Sequence, residues 1–327
     1  MNIRTARFRR LWFSTLLLLA LLPVGSGCAA QAAGNRDTGY LEGTITVSGA
    51  WALYPLMIRW GEEFQNIHPD VRFDISAGGA GKGMADALAG TVDIGMVSRE
   101  IYPQEMDLGA FWVSVAKDAV FPTINKDNPV RGGLFSKGIT RDILIDIYIT
   151  GEVTTWGQVV GSQDLTAPIH IYTRSDACGA AATFAAYLGV KQENLLGVGV
   201  YGDPGLLEAV IRDPFAIGYN NLNYAFDMES GEPLAGAKII PIDVDGSGQA
   251  EASEIFEVKE QAVYAVASGI YPSPPARDLN LVTAGKPSGL VKTFIHWVLS
   301  DGQIYVREVG YIELPSYQLQ EGLLKLQ

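Results

Sequence analysis

Cysteine is nearly absent from this chain: 327 residues hold only Cys28 and Cys178. That count excludes a disulfide framework and any thiolate metal cluster. Histidine is almost as scarce, and His68, His170 and His296 are too scattered for metal-ligand spacing. No Gly-x-Ser-x-Gly elbow occurs, so a serine hydrolase is not indicated. Gly81-Lys82 lacks both the glycine five residues earlier and the following hydroxyl of a phosphate-cradling P-loop. These absences argue against an enzyme. Basic runs are also missing beyond the N-terminus, and the formal charge is −12. Nucleic acid is therefore not an expected partner. Any anion site must be built locally, against the global field.

What is present begins with Arg4, Arg7, Arg9 and Arg10, followed by an apolar run from Leu11 to Val24 and then Gly25-Ser26-Gly27-Cys28. Basic, apolar, small is the layout of a secretory signal. The apolar run falls short of the roughly 20 residues of a permanent span. The small residues before Cys28 resemble the lipobox of bacterial lipoproteins, with Gly25 where an aliphatic residue is usual. An ordinary cleaved signal or an uncleaved anchor are the other readings. The expectation is a signal peptide over 1–27 and a lipidated, flexible tether over 28–40. The protein would be exported and held at the outer face of the cell membrane, or at the periplasmic membrane face, through Cys28. With Cys28 lipidated, Cys178 is a free thiol outside the cytoplasm.

From Leu41 onward, strand-like and helix-like segments alternate. Thr44–Val47, Val71–Ile75 and Val92–Met96 read as strands and Val113–Ile124 as a strand pair or one long strand, with helical spacing over Ala52–Phe64 and a short helix over Lys82–Leu88. Pro55 suits a first helical turn. Further on, Ile169–Tyr172, Ala216–Tyr219 and Lys238–Ile242 read as strands. Ala180–Leu188, Leu206–Ile211 and Leu290–Leu299 read as helices. Strand, glycine turn, helix, strand predicts an α/β fold with parallel strands.

Three strand-to-helix turns stand out: Ser48-Gly49-Ala50-Trp51-Ala52, Gly78-Gly79-Ala80-Gly81-Lys82-Gly83, and Arg174-Ser175-Asp176-Ala177-Cys178-Gly179-Ala180. Small residues before a helix let a ligand reach its unpaired N–H groups. Arg174 adds a planar fork suited to an oxyanion. Glycine before a helix is, taken singly, often only packing.

As a set, these turns resemble the phosphate-binding protein family of ABC transporters. The resemblance is carried by Ser48–Leu56, Gly78–Gly83, Val92–Glu100, Asn125–Pro129, Ile147–Trp156, Thr173–Asp176 and Ala216–Tyr219, in the family's order. It implies a two-lobed type II periplasmic-binding fold with the ligand in the hinge cleft. Residues 41–120 plus 262–327 would form lobe 1 and 121–261 lobe 2. It also implies an anion held by N–H groups, hydroxyls, an arginine and an acceptor carboxylate. Arg174 matches the family arginine and Asp176 the aspartate that orients it. Cys178 stands where a serine donor is usual and Ala180 where threonine is usual. Ala80 lies in a loop that often offers serine. Trp51 and Ala52 replace a threonine and an aromatic. Ser98 sits near an acceptor aspartate of some members, and Arg99 follows it as in many others. The expected ligand site is thus Ala50, Trp51, Ala52, Gly79, Ala80, Gly81, Ser98, Arg99, Arg174, Asp176, Cys178, Gly179 and Ala180. The expected ligand is inorganic phosphate, another small oxyanion or something larger. Permease subunits are the expected partners of a monomer. A surface lipoprotein with a sensing or structural role is the second reading. Cys178 admits three readings: a small buried hydrophobe, a weak S–H donor, or a thiolate poised beside Arg174.

A separate stretch, Asp243 to Glu254, fits the spacing of a calcium loop. Asp243, Asp245 and Ser247 stand at alternate positions, and Glu254 closes the loop, with Gln249 and Glu251 between. The cofactor expectation is therefore a structural calcium and nothing else. The other reading is a solvated acidic turn.

Overall fold

The first three strand signals become β1 (Glu42–Gly49), β2 (Asp70–Ala77) and β3 (Ile94–Val97). They belong to a computed structural model that describes residues 41–228 and 230–327. The expected signal peptide and tether, with Cys28, lie outside the described residues. Both β2 and β3 pair with β1 in parallel. Trp51–Leu53 forms a short 3-10 turn that runs into the Tyr54–Ile67 helix, with Pro55 in its first turn. That helix buries Leu56, Met57, Trp60 and Phe64 along one face, the spacing that carried the helix reading. The Trp60 indole N–H donates to the Gly302 carbonyl at 2.8 Å, so its polar handle is satisfied inside the core.

The later strands are β4 (Ala110–Asn125), β5 (His170–Arg174), β6 (Val198–Val200), β7 (Ala216–Asn221), β8 (Ala237–Ile239) and β9 (Ala276–Ala284). Their order is β2-β1-β3-β9-β4-β7-β5-β6, with β8 also on β4. The expected parallel pairing holds within each half, but not between the long strands. β5 is parallel to β6 and β7, but β4 and β9 run antiparallel to their neighbours. These two long strands cross from one half of the molecule to the other. Residues 110–119 of β4 pair with β9, and 120–125 pair with β7 and β8.

The halves have separate cores. One gathers Ile45, Leu56, Trp60, Phe64, Met96, Leu281, Phe294 and Val298. The other gathers Tyr148, Trp156, Phe184, Leu206, Ile217 and Tyr219, with Phe184 stacked on Tyr219 at 4.6 Å. A third cluster joins Ala119 and Phe121 to Phe226, Ala262, Ala265, Tyr271 and Ile312. The Lys259–Ala267 helix packs beside the crossing strands in this third cluster, which draws residues from both expected lobes. Apolar contacts of the first core resume at Leu279. The fold is an α/β, two-lobed, type II periplasmic-binding-protein-like fold. Among the described residues, no helix is long and apolar enough to cross a membrane.

Candidate functional site

The ends of β1, β2, β3, β5 and β6 all point into the space between the lobes, and a loop or helix start follows each. This is where open α/β sheets place ligands. Gly49 ends β1, and a Cβ there would sit 2.3 Å from the Met96 carbonyl oxygen. Only glycine lets the first loop come this close to β3. Gly79 caps the Ala80–Leu88 helix at φ 93°, a conformation reserved for glycine. Cys178 caps the Gly179–Leu188 helix, its Sγ accepting the Ala181 N–H at 3.3 Å.

Part of the expected donor set is already engaged. Gly78 and Gly79 N–H donate to the Gly49 carbonyl, and Ala50 N–H to the Met96 carbonyl. Gly81 N–H reaches across to the Ala177 carbonyl at 3.0 Å. Trp51, Ala52, Ala80, Gly179 and Ala180 occupy first turns, where helical N–H groups have no carbonyl ahead of them.

Arg174 lies at the centre, its side chain wholly buried. Its Nε and Nη2 donate to Asp176 at 2.8 and 2.6 Å, a bidentate pair that fixes the guanidinium plane. Nη1 lies 2.8 Å from Asp203 Oδ2 as an ion pair, yet it makes no hydrogen bond. Burial works against its charge, but Asp203, Cys178 and Asp176 outweigh it and raise its pKa. Trp51 brings the first loop onto the second lobe. Its ring meets Tyr201 edge-on at 6.4 Å and would lie 3.4 Å from a Cβ on Gly202. Its Nε1 is a second buried donor without a partner.

Burial pushes the Cys178 thiol up to about 12, against the pull of Arg174. That direction, with the sulfur accepting the Ala181 N–H, favours the small buried hydrophobe over the thiolate. Cys178 belongs to the second core, and its sulfur serves the helix as an acceptor. Ser98 is buried and touches Gly179. Arg99, expected at the ligand, spends its fork on Glu105 at 2.9 and 2.6 Å and lies over the Tyr102 ring. It borders two adjoining cavities of about 580 and 630 Å³ outside the Arg174 centre.

Sequence reasoning missed Asp203, Asn221, Asp118 and Arg277. Asp203 Oδ1 accepts from Asn221 Nδ2 at 2.6 Å. Asn221 Oδ1 accepts from Arg277 Nη2, which also donates to Asp118 at 3.0 Å. A signal for Asp203 was available. Gly202-Asp203 opens the Gly202–Arg212 helix, repeating the glycine-then-helix pattern of the other turns.

The acidic loop is a separate feature. Asp243, Asp245 and Glu254 bring carboxylate oxygens within 4.8 Å of one another. Ser247 and Gly248 N–H donate to Asp243, and Val244 and Glu251 N–H donate to Glu254. Glu251 accepts from the Ser247 hydroxyl. Gln249 enters this network through its backbone.

Two lobes, two crossing strands and a cleft floored by helix starts define a two-lobed solute-binding protein. A family model described as a PBP superfamily domain matches residues 29–302, and the chain belongs to that superfamily. It is 27% identical over 314 residues to a phosphate-binding protein of Bacillus subtilis (strain 168), covering 93% of this chain and 94% of the relative. A Clostridium perfringens structure, assigned as a phosphate ABC transporter substrate-binding protein and solved with bound phosphate, is similar at TM-score 0.68 and 26% identity. It covers 84% of this chain and all of that one. An ABC-type phosphate transport receptor from Vibrio cholerae has the same fold at TM-score 0.60 and 21% identity, over 83% of this chain and 100% of its own.

Proposed function

We propose that this chain is an extracytoplasmic solute-binding protein that captures phosphate, or a closely related oxyanion, between its lobes for an ABC transporter. The observation that carries this reading is Arg174, buried among helix starts with Nη1 unbonded. A buried guanidinium N–H and unpaired first-turn N–H groups need acceptors, which a tetrahedral oxyanion supplies. The phosphate-binding relatives support the same cargo. A carrier role without turnover is supported by the relatives, which are phosphate-binding proteins.

Calorimetric titration of the ligand-stripped mature chain tests this. Phosphate is expected to bind at micromolar concentration or tighter, about −8 kcal/mol or better, without turnover. Sulfate, molybdate, arsenate and nucleotides form the comparison set. Should none bind, the capture reading is lost.

Delivery requires permease subunits and, on our reading, a lipid at Cys28 that keeps a monomer beside them. Cys28→Ser is expected to release the protein from the membrane fraction; retention there would count against the anchor.

The 243–254 loop carries the proposed structural calcium. Burial raises the Glu254 pKa, and neighbouring Glu251 raises it further. Without an ion, lowering the pH through that raised value should therefore stabilise the fold. Millimolar calcium is expected to raise Tm by about 2–4 °C per kcal/mol of binding energy and to suppress this pH effect. Glu254→Gln should abolish the calcium shift. An unchanged Tm in the unsubstituted protein removes the proposal.

A further inference from the structure

The two adjoining cavities share Arg99, Tyr102, Ala182 and Ala186 as walls. Arg99 and Tyr102 follow β3 in the first lobe, and the two alanines lie on the Gly179–Leu188 helix of the second. A four-residue spacing sets Ala182 and Ala186 on one face of that helix. Their small side chains leave a crevice open between the lobes. Neither Arg174 nor Trp51 borders it, so it is distinct from the oxyanion site.

Two buried donors lie side by side at the edge of the 580 Å³ part. Arg277 on β9 donates through Nη1 to Thr183 Oγ1 at 3.2 Å, and both residues border the cavity. Nη2 is spent on Asp118 and Asn221, but Nε is buried without a partner. Among the described residues the Thr183 hydroxyl accepts that one bond and donates none. The Arg277 side chain is 5% exposed and Thr183 6%, so both hydrogens are left without an acceptor at a cost. The walls beyond them are apolar: Ile101, Met106, Trp112 and Pro274. No cation is spare. Arg99 pairs with Glu105, Lys117 with Asp278 and Arg277 with Asp118. Glu100 adds a carboxylate to this part, and Lys191 and Glu193 offset each other in the other. An anion would find no free counter-ion here, and a cation would face donors.

We propose that this crevice is a second ligand site, which takes a small uncharged organic molecule with a flat apolar body and one carbonyl acceptor, such as an aromatic amide. The carbonyl oxygen has two lone pairs, one for Arg277 Nε–H and one for the Thr183 hydroxyl. The body lies along Ala182 and Ala186, against the aromatic walls. Because the walls come from both lobes, occupancy favours the arrangement that holds them together and so strengthens oxyanion capture. Linkage makes that effect mutual. The site stands apart from the oxyanion reading, and only the coupling rests on it.

The test is ligand-observed NMR titration of the mature chain with benzamide, benzoate and benzylamine, ring-matched probes that are neutral, anionic and cationic near pH ~7. Benzamide is expected to bind with a Kd of about 1 mM, the range for a ligand of this size. Benzoate and benzylamine should bind at least about tenfold more weakly. Thr183→Val removes the hydroxyl and should weaken benzamide about tenfold. Ala186→Phe places a ring in the crevice and should abolish benzamide binding while phosphate still binds. Saturating phosphate should tighten benzamide about fivefold or more, and benzamide should tighten phosphate by the same factor. No benzamide binding up to about 20 mM overturns the proposal. So does equal or tighter binding of either charged probe. Benzamide affinity unchanged in both variants puts the ligand elsewhere and overturns it as well. Equal benzamide affinity with and without bound phosphate overturns the coupling. If phosphate itself does not bind, the oxyanion reading falls, while the benzamide series still decides the crevice. If Thr183→Val fails to fold, Ala186→Phe, at an exposed position, decides the location.

Discussion

Replacing Arg174 with methionine is expected to destabilise the fold by about 3–5 kcal/mol at neutral pH, the cost of breaking a buried ion pair from one side. Methionine fills much of the arginine volume, so the loss is electrostatic more than a matter of packing. It strands Asp176 and Asp203, whose side chains are 8% and 2% exposed. Asp203 then loses its main counter-ion, and its carboxyl, already raised by burial, is pushed further above its unfolded value. A carboxyl with a raised folded pKa weakens the fold above that pKa, and the loss is relieved as pH falls through it. Urea unfolding should therefore show a large deficit at pH ~7 that shrinks toward pH ~5. Adding Asp203→Asn to Arg174→Met should recover part of the stability at neutral pH and none of the oxyanion binding. A single variant as stable as the parent at neutral pH would show that Arg174 is not the keystone of this buried set. Arg174→Lys is expected to fold better than Arg174→Met, because an ammonium still offsets one carboxylate. It cannot reproduce the fork on Asp176.

Arg174 and Asp176 were legible because they sit two residues apart in a motif and meet through local geometry. The other half of the set was hidden by distance. Asp118, Asp203, Asn221 and Arg277 lie on four elements: the pairing of β4 with β7 and β9 gathers three of them, and the Gly202–Arg212 helix brings Asp203 onto Asn221. β9 itself escaped reading for a related reason. β9 is buried on both faces, so it loses the alternation that marks a strand, and unlike the apolar run of β4 it carries Arg277, Asn280 and Thr283 as buried polar residues. The Tyr54–Ile67 helix is the opposite case. One face meets solvent and the other a core, so its period survives in the sequence. Cys178 shows what residue type alone leaves open. A helix N-terminus and an adjacent arginine favour a thiolate, but complete burial and two carboxylates reverse the balance.

Gly179→Ala is expected to weaken oxyanion binding by about two orders of magnitude, close to 3 kcal/mol, while leaving the chain folded. A Cβ on Gly179 would lie 2.1 Å from Ser98 Oγ and 2.2 Å from the Ser98 carbonyl oxygen. The hydroxyl can turn away, but the carbonyl is backbone and follows β3, which is paired with both β1 and β9. The only relief is for the lobes to separate. Neighbouring contacts point the same way. A Cβ on Gly79 would come within 2.7 Å of the Ala177 carbonyl, and one on Gly81 within 2.8 Å of the Ala177 Cβ. Gly79, however, needs a positive φ, so its substitution mixes backbone strain with the steric bar. Gly179 is the cleaner position. It lies in the first turn of a helix, where alanine is preferred over glycine by up to about 1 kcal/mol. Folding should thus be unharmed or slightly improved, and the N–H donor is kept. Affinity and stability therefore move in opposite directions, which separates a bar to closure from a damaged fold. Small-angle scattering should show phosphate compacting the parent and not the variant, with the affinity loss appearing as faster release. Adding Ser98→Gly removes the hydroxyl but not the carbonyl, and should restore only a minor part of the binding. If Gly179→Ala bound phosphate as tightly as the parent and compacted equally, the seam of glycines would have no part in closing the cleft.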